Sequence, residues 1–204
     1  ALLVPQELRG STLGIVGYGA IGREIARLAN AFGMNVLAMK RNVLEPAEDS
    51  GYTLPGTGDP AGAYFSRLYP PEALCTMVRD CDYVVVVTPL TDTTRNMFGE
   101  EAFASMKQTA YLINIGRGGV VDEDALRTAL QNGAIAGAAM DVFDAEPLPE
   151  DSPLWRLPNL IITPHIAGIS VHYNEKAAAL FVENLSRYVS RRDLLNVVHR
   201  EHGY

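Results

Sequence analysis

Residues 12–22 read Thr12-Leu13-Gly14-Ile15-Val16-Gly17-Tyr18-Gly19-Ala20-Ile21-Gly22, and they predict a strand, a tight turn and the start of a helix. The apolar residues before Gly17 are typical of a strand that is buried on both faces. After the turn, apolar residues recur at helical spacing, and we expect them to form the buried face of the helix: Ile21, Ile25, Leu28, Ala29 and Phe32. Gly33 follows as the expected C-terminal stop of that helix.

The glycines of this turn match the Gly-x-Gly-x-x-Gly pattern of dinucleotide-binding proteins. Gly17 allows the sharp turn, Gly19 leaves room for a pyrophosphate at the backbone, and Gly22 lets the helix pack closely on the strand. The free N–H groups and the positive dipole end of the helix would face the phosphates. An ordinary glycine-rich turn is the alternative, but the strand before it and the helix after it favour dinucleotide binding. The predicted contacts come from the whole turn: Gly17, Tyr18, Gly19, Ala20, Ile21 and Gly22.

The rest of the chain alternates apolar strands with helical patterns, which predicts an α/β fold with a Rossmann-type doubly wound parallel sheet. We expect further strands at residues 35–39, 82–87, 110–115, 135–142 and 160–163. We expect further helices at residues 71–80, 100–106, 122–130 and 171–189.

These patterns also suggest a division of the chain. Residues 1–11 read as a lead-in, residues 12–189 as the dinucleotide-binding domain, and residues 190–204 as a separate C-terminal piece. Residues 43–70 are rich in proline and glycine and predict a long loop or insertion. The aromatic residues of that segment indicate that it packs against this domain or against a missing partner surface.

The composition is that of a globular protein, with 48% hydrophobic and 20% charged residues. The net charge of -7 gives no reason to expect binding to nucleic acid or to an anionic membrane. The two cysteines, Cys75 and Cys81, predict reduced thiols rather than a disulfide framework or a metal site. We therefore expect a cytoplasmic protein without a metal centre.

The residues after the second predicted strand bear on the choice between NAD and NADP. An NAD site usually places a carboxylate about 20 residues after the glycine turn, where it binds the ribose 2′-hydroxyl. This chain has Lys40 and Arg41 there, and its next carboxylate is Glu45. A basic pair suits a 2′-phosphate, so the sequence favours NADP over NAD. The alternative is that both side chains are simply solvated at a strand end.

Polar residues follow three later strands, at positions that a structural role explains poorly. Arg117 follows one strand and is flanked by glycines. Asp141 ends the next strand, Glu146 lies just beyond it, and His165 follows the last strand. Because the carboxyl ends of parallel strands meet at one edge of the sheet, we expect these four residues to lie on the side of the glycine turn.

Taken together, these motifs resemble the D-isomer-specific 2-hydroxyacid dehydrogenases, a family that includes glyoxylate/hydroxypyruvate reductases and phosphoglycerate dehydrogenases. The matching stretches occur in the family's order and cover most of the chain: 13–22, 84–94, 112–122, 136–149 and 161–168. The resemblance implies that Arg117, Glu146 and His165 are catalytic and that Asp141 contacts the nicotinamide carboxamide. It also implies further cofactor contacts along the dinucleotide: Thr88, Pro89, Thr94, Ile115, Gly116, Arg117, His165, Ala167 and Gly168.

The resemblance implies hydride transfer between NAD(P)H and a small 2-oxo or 2-hydroxy acid of D configuration. A guanidinium offers paired donors to a substrate carboxylate, which suits Arg117. Histidine is the usual proton donor near neutral pH, which suits His165, and a neighbouring Glu146 carboxylate would favour the imidazolium and orient the ring. The resemblance also implies a homodimer, because family members commonly associate through the cofactor domain.

The chain departs from the family pattern at its N-terminus. A typical member carries a segment before the first strand that forms most of the substrate domain, and residues 1–11 are too few to replace it. Residues 190–204 then read as the C-terminal remnant of that domain. A cleft that is open to water loses orientation and electrostatic strength. A non-catalytic dinucleotide-binding sensor or corepressor-like module is therefore the alternative to an enzyme.

Overall fold

The computed structural model describes residues 6–47 and 52–198, and a seven-stranded parallel sheet runs through them. The strands are β1 (Thr12–Val16), β2 (Asn35–Met39), β3 (Arg67–Tyr69), β4 (Tyr83–Val86), β5 (Tyr111–Asn114), β6 (Gly137–Met140) and β7 (Leu160–Ile162). The helices are α1 (Ala20–Ala31), α2 (Leu74–Val78), α3 (Glu100–Ser105), α4 (Glu123–Gln131) and α5 (Tyr173–Val189). The predicted Rossmann-type doubly wound sheet is confirmed.

The strand order β3-β2-β1-β4-β5-β6-β7 places β1 inside the sheet, with the winding reversed beside it. Strand β1 pairs in parallel with β2 on one side and with β4 on the other. Ligands of open α/β sheets bind outside the carboxyl ends of the strands at the point where the order reverses. The glycine turn that follows β1 lies at this edge.

Strand β3 lies inside the segment that the sequence analysis treats as a loop or insertion, so that prediction is wrong for Arg67–Tyr69. These residues pair in parallel with β2, with Leu37 opposite Arg67 and Met39 opposite Tyr69. A strand of three residues that runs into Pro70 shows too little periodicity to stand out from the loop around it.

The aromatic residues of the same segment pack against the domain, as one of the two predicted alternatives requires. The ring of Phe65 meets the ring of Tyr18 edge-on, with 5.2 Å between the ring centroids. Tyr69 is buried in the core, and Tyr64 packs against the apolar residues on the α1 side of the sheet. The segment is therefore a covering layer of the domain rather than a detached linker.

Helix α1 buries a different face from the one predicted. Ile21, Leu28 and Phe32 are 61%, 44% and 59% exposed, so the prediction is wrong for these three residues. The buried residues of the helix are Gly22, Arg23, Ala26 and Ala29. Small side chains let the helix approach the sheet closely, and the segment after β2 covers Arg23. Apolar spacing alone therefore identified the helix but not its buried side.

The core lies on both faces of the sheet. Successive side chains of a strand point to opposite faces, and in β4 the residues Val84 and Val86 belong to one apolar cluster while Val85 belongs to the other. The larger cluster packs against α2, α3 and α4, and the smaller one packs against α1. The strands are packed between the two apolar clusters. They therefore give the loops at the carboxyl ends of the strands a rigid base.

Helix α5 confirms the predicted helical pattern near the C-terminus, but none of its residues is buried. Phe181, Leu185 and Tyr188 are 69%, 51% and 73% exposed. The apolar side of α5 is therefore not covered by the part of the chain that the structure describes. Within that part, no helix combines the length and the apolar character that crossing a bilayer requires.

Candidate functional site

The turn after β1 has the geometry that the sequence predicts. Gly17 has a φ of +106°, in the region that favours glycine. A Cβ at Gly22 would lie 2.1 Å from the carbonyl oxygen of Gly17, so only glycine lets α1 begin this close to β1. Among the described residues, no atom outside the turn lies within 4 Å of the place where a Cβ of Gly19 would be, so the backbone there is open. In the part of the chain that the structure describes, no side chain caps the start of α1, so its first N–H groups remain available for an anion.

Thr88 closes the other side of this turn. The residue is 8% exposed, and a Cβ at Gly17 would lie 3.0 Å from its backbone nitrogen. Within the described residues its hydroxyl is buried without a hydrogen-bond partner. A buried hydroxyl usually has a partner, so this one fits a polar ligand in the groove. The open backbone at Gly19 and the unpaired hydroxyl of Thr88 both suit a bound dinucleotide.

The loop after β4 is held by Thr94. Its hydroxyl donates to the carbonyl oxygen of Pro89 at 2.7 Å and accepts from the backbone N–H of Thr91 at 2.8 Å. The Thr94 hydroxyl therefore shapes the loop that carries Pro89. This is a structural task in addition to the cofactor contact that the resemblance implies.

The turn after β5 carries Arg117 and is fixed by Asn114. The side chain of Asn114 is buried, donates to the carbonyl oxygen of Arg117 at 3.0 Å, and accepts from the N–H of Gly116 at 3.0 Å. A Cβ at Gly116 would lie 2.8 Å from the carbonyl oxygen of Thr88, so this turn abuts the loop after β4. Arg117 is exposed, and its Nη1 donates to the carbonyl oxygen of Gly116 at 2.7 Å. Ile115, just before the turn, packs against the apolar cluster on the α1 side.

Asp141, at the end of β6, organises the chain around His165. Its carboxylate accepts hydrogen bonds from the hydroxyl of Thr163 and from the N–H groups of Ile166 and Ala167. Burial alone would raise the pKa of Asp141, but these hydrogen bonds outweigh it and hold the pKa below its usual range. The side chain therefore stays ionised while it holds the 163–167 turn. Gly168, the next predicted contact, has no atom within 4 Å of where its Cβ would be.

His165 and Glu146 form a close pair. The Nδ1 atom of His165 lies 2.7 Å from Oε2 of Glu146, and the other Glu146 oxygen accepts from the N–H of Phe143 at 2.9 Å. The hydrogen bond from His165 and the one from Phe143 hold the pKa of Glu146 below its usual range. Because the carboxylate is ionised, Nδ1 carries the proton of this hydrogen bond and Nε2 is the other ring nitrogen, facing away from Glu146. Both side chains are partly exposed, at 50% and 34%.

The structure brings Arg117 to the same edge as this pair. A Cβ at Gly118 would lie 2.0 Å from the carbonyl carbon of Phe143, so the turn after β5 is pressed against the loop after β6. The N–H of Phe143 in turn binds Glu146. Strands β5, β6 and β7 are neighbours in the sheet, and Arg117, Glu146 and His165 follow them in that order. The predicted grouping of these side chains on the side of the glycine turn agrees with this geometry.

Lys40 and Arg41 lie at the end of β2. The Nζ atom of Lys40 donates to the carbonyl oxygens of Glu45 at 2.6 Å and of Ala47 at 3.3 Å. Lys40 thus fastens the loop that follows β2, and the prediction that it is one half of a phosphate-binding pair stays a prediction. Arg41 is exposed next to it.

Sequence reasoning missed several polar residues that support the site. Asn114 and Asp59 are buried polar side chains, and Arg23 is a buried cation in α1. A polar residue inside an apolar strand was the signal for Asn114. No local signal distinguishes Arg23, because its partners lie 23 to 36 residues further along the chain.

The chain matches a known protein family and several of its members. The profile of the D-isomer specific 2-hydroxyacid dehydrogenase NAD binding domain matches residues 2–167. The (S)-sulfolactate dehydrogenase of Chromohalobacter salexigens is 38% identical over 190 residues, which is 93% of this chain and 57% of that protein. Glyoxylate/hydroxypyruvate reductase B of Klebsiella pneumoniae subsp. pneumoniae is 41% identical over 180 residues, which is 88% of this chain and 51% of that protein. The chain spans about half the length of the curated relatives it matches.

A solved structure agrees with the sequence comparisons. The D-isomer specific 2-hydroxyacid dehydrogenase from Xanthobacter autotrophicus Py2, in complex with NADPH and MES, superposes with a TM-score of 0.83 at 34% identity. The match covers 100% of this chain and 77% of that one. With its glycine turn, its sheet order and the family profile in agreement, the chain belongs to the D-isomer specific 2-hydroxyacid dehydrogenase family, whose NAD-binding domain it carries.

Proposed function

We propose that this chain is the cofactor-binding part of an oxidoreductase that transfers a hydride between NAD(P)H and a small 2-oxo or 2-hydroxy acid. The single observation that carries the proposal is the His165–Glu146 pair, 2.7 Å apart, at the sheet edge that also holds the glycine turn. We assign residues 12–189 to the dinucleotide-binding domain and residues 190–204 to the remnant of a substrate domain. The family relatives, among them a glyoxylate/hydroxypyruvate reductase, support the reaction class.

The proposed mechanism gives each side chain one task. Arg117 binds the substrate carboxylate through the paired donors of its guanidinium. Bound NAD(P)H supplies the hydride. His165 donates a proton to the substrate carbonyl oxygen from Nε2, because Nδ1 is occupied by Glu146. Glu146 keeps the ring oriented through Nδ1, and the N–H of Phe143 keeps Glu146 in place.

The test begins with fluorescence titrations of the chain with NADPH and NADH, followed by assays with glyoxylate and hydroxypyruvate. Binding followed by oxidation of the reduced cofactor supports the enzyme. If neither NADPH nor NADH binds to the chain, the proposal is overturned.

A non-catalytic dinucleotide-binding sensor or corepressor-like module is the second candidate. The observation that favours it is the exposure of the catalytic edge, where half of the His165 side chain is open to water. Water at the reacting atoms weakens the electrostatic interactions on which catalysis depends. Tight binding of a dinucleotide without reduction of any 2-oxo acid would support this candidate over the enzyme.

Within the NAD(P) pair, we propose that NADP is preferred. The position of the basic residue Arg41 at the end of β2 supports this choice, and so does the NADPH in the Xanthobacter relative. We expect Arg41→Ala to weaken NADPH binding about tenfold, the loss typical of one charged hydrogen-bond partner, and to leave NADH binding unchanged. The exposed Arg79 at the C-terminal end of α2 provides the control, Arg79→Ala. Tighter binding of NADH than of NADPH by the unmodified chain would overturn the preference.

We also propose a homodimer that forms through α1. Leu28 and Phe32, with Ile21, form an apolar stripe on that helix that is 44% to 61% exposed. Contiguous exposed apolar surface of this kind is typical of an association site. Sedimentation should show a dimer for the unmodified chain and a monomer for the double variant Leu28→Asp, Phe32→Asp. A monomer before substitution would contradict the proposal.

A reducing, cytoplasmic setting completes the proposal. Cys75 and Cys81 are both free thiols, and Cys81 is buried. Burial raises the pKa of Cys81 to about 12, which keeps the thiol unreactive. Fractionation of cells that express the protein tests the location, and recovery outside the cytoplasm would contradict it.

A further inference from the structure

Arg23 of α1 has no part in the proposed reaction. It is a charged residue, yet it is almost fully buried, with 1% of its surface exposed. Its Nη1 donates to the carbonyl oxygen of Asp59 at 2.6 Å, and its Nη2 donates to those of Pro46 at 2.8 Å and Ala47 at 3.0 Å. A buried guanidinium is costly unless its donors are satisfied, and the carbonyl oxygens of one surface segment satisfy these. Arg23 thus fastens the segment after β2 to α1 at two separate places, residues 46–47 and residue 59.

The Asp59 side chain links the same segment to the glycine turn. It is buried, and it accepts hydrogen bonds from the Tyr18 hydroxyl at 2.6 Å and from the N–H groups of Ala63 at 2.8 Å and Tyr64 at 2.9 Å. The guanidinium of Arg23 lies over the Tyr18 ring, with Cζ 4.8 Å from the ring centroid. Tyr18 stands between Gly17 and Gly19 in the turn that would hold the pyrophosphate. The three side chains form what we call the Arg23–Asp59–Tyr18 cluster.

The segment held by this cluster lies at the adenosine end of the groove. In dinucleotide-binding sheets, the residue at the end of β2 lies beside the adenosine ribose. That residue is Lys40, whose ammonium group donates to the carbonyl oxygens of Glu45 and Ala47. The two limbs of the segment are also packed against each other, because a Cβ at Gly62 would lie 2.7 Å from the carbonyl oxygen of Pro46.

We propose that Arg23 is a positioning residue for the adenosine half of the dinucleotide, because it holds residues 42–47 and 58–64 as a fixed wall against the glycine turn without touching the ligand. The inference rests on the proposed dinucleotide binding. A wall that is ordered before binding spares the ligand the cost of ordering it. Without Arg23, three carbonyl oxygens lose a charged donor. The hydrogen bond from the N–H of Gly58 to the Glu24 carboxylate then remains as a tie between the segment and α1. The nicotinamide half would lie at the ends of β5 to β7, so we expect the loss of Arg23 to leave the binding of that half unchanged.

The test compares fragments of the cofactor on the 204-residue chain and on its Arg23→Met variant. Ligand-observed NMR gives the dissociation constants of 5′-AMP and of reduced nicotinamide mononucleotide, and fluorescence gives those of NADH and NADPH. We expect Arg23→Met to weaken 5′-AMP and both dinucleotides by about tenfold, through the lost preorganisation, and to change the mononucleotide by less than about twofold. The matched control is Arg127→Met on α4, which removes an arginine that pairs with Asp124 and should change none of these constants.

The fragment comparison separates positioning from a general loss of structure. A folded Arg23→Met variant that binds 5′-AMP as the unmodified chain does would overturn the inference, and so would an equal loss for both fragments. If Arg23→Met does not fold, Tyr18→Phe decides the matter. That variant keeps the ring and removes only the hydroxyl that Asp59 accepts, so it should give the same selective pattern at smaller size. Failure of the unmodified chain to bind either dinucleotide would overturn the proposed function itself, a result distinct from all of these.

Discussion

At the scale of single residues, the candidate chemistry depends on the proton that His165 would donate to the substrate. Glu146 is ionised in the neutral range, because hydrogen bonds from His165 and from the N–H of Phe143 hold its pKa below the usual range. The carboxylate can therefore accept the hydrogen bond from Nδ1 of His165 and fix the orientation of the ring. The pair resembles an acid and its orienting group rather than two surface charges that happen to meet.

Replacing the histidine tests that assignment. We expect His165→Gln to lower kcat by at least about 100-fold, the size typical of a lost general acid, while the dissociation constant for NADPH stays within about twofold. His172 pairs with Glu175 on α5 at 3.1 Å, so His172→Gln is a matched control that should keep full activity. Steady-state kinetics and fluorescence titration give both quantities. Full turnover by the His165 variant would remove this residue from the mechanism.

The environment of the Asp59 carboxyl group predicts how the stability of the protein changes in acid. Burial raises the pKa of Asp59. Hydrogen bonds from Tyr18, Ala63 and Tyr64, together with the charge of Arg23, have a larger and opposite effect, so the net pKa lies below the usual range. Because the folded-state pKa is below the unfolded value of about 3.9, the stabilisation is complete above that pH and is lost as pH falls through the folded value. Asp59→Asn should therefore lower the free energy of unfolding at pH 7, with a difference that shrinks in acid. Urea titrations over a pH series measure it, and a constant difference down to the acid limit would contradict the assignment.

At the scale of elements, the β1–α1 unit shows which parts of the structure local sequence predicts well. The positions of β1, the turn and α1 follow from a short stretch of residues with known geometry. The buried side of α1 does not, because it includes Arg23, whose partner Asp59 lies 36 residues away. Strand β3 was missed for a similar reason, since three residues acquire strand structure only by pairing with β2.

The close approach of α1 to β1 predicts the effect of one added methyl group. Gly22→Ala would place a Cβ 2.1 Å from the carbonyl oxygen of Gly17 and force the helix away from the strand. We expect a loss of about 1–3 kcal/mol in the free energy of unfolding, as for other overpacked sites, together with loss of dinucleotide binding. Gly99→Ala at the start of α3 is the control, because its Cβ would lie 3.6 Å from Asn96 in ordinary contact. Chemical denaturation and titration with NADPH measure the two effects.

The turn after β5 offers a second test at this scale. Asn114→Leu keeps the approximate volume but leaves the N–H of Gly116 without its partner, and it leaves the carbonyl oxygen of Arg117 with the N–H of Val120 alone. An unpaired buried N–H costs about 1–3 kcal/mol, so stability should fall and the Arg117 turn should loosen. The expected kinetic result is a higher KM for the 2-oxo acid, with cofactor affinity nearly unchanged. An unaltered KM would show that Asn114 does not position Arg117.

At the scale of the whole molecule, the sheet and the grouping of the site could be predicted because both follow from strand order. Alternating strands and helices imply parallel strands, and parallel strands bring Arg117, Glu146 and His165 to one edge. The supporting residues could not be predicted in this way. Asn114 and Asp59 act through side-chain contacts with backbone groups, and Lys40 binds carbonyl oxygens in the loop after β2 rather than standing free. Such contacts depend on the folded path of the chain and leave little trace in residue spacing.

The exposure of helix α5 predicts which part of the protein unfolds first. None of its residues is buried, so little free energy separates its folded and open forms, and it should open on its own while the sheet stays intact. Trypsin should then cut first at Lys176 and Arg191 and leave a resistant fragment that still contains β1 to β7. Amide hydrogens of α5 should exchange with solvent deuterium far sooner than those of β1 or β4.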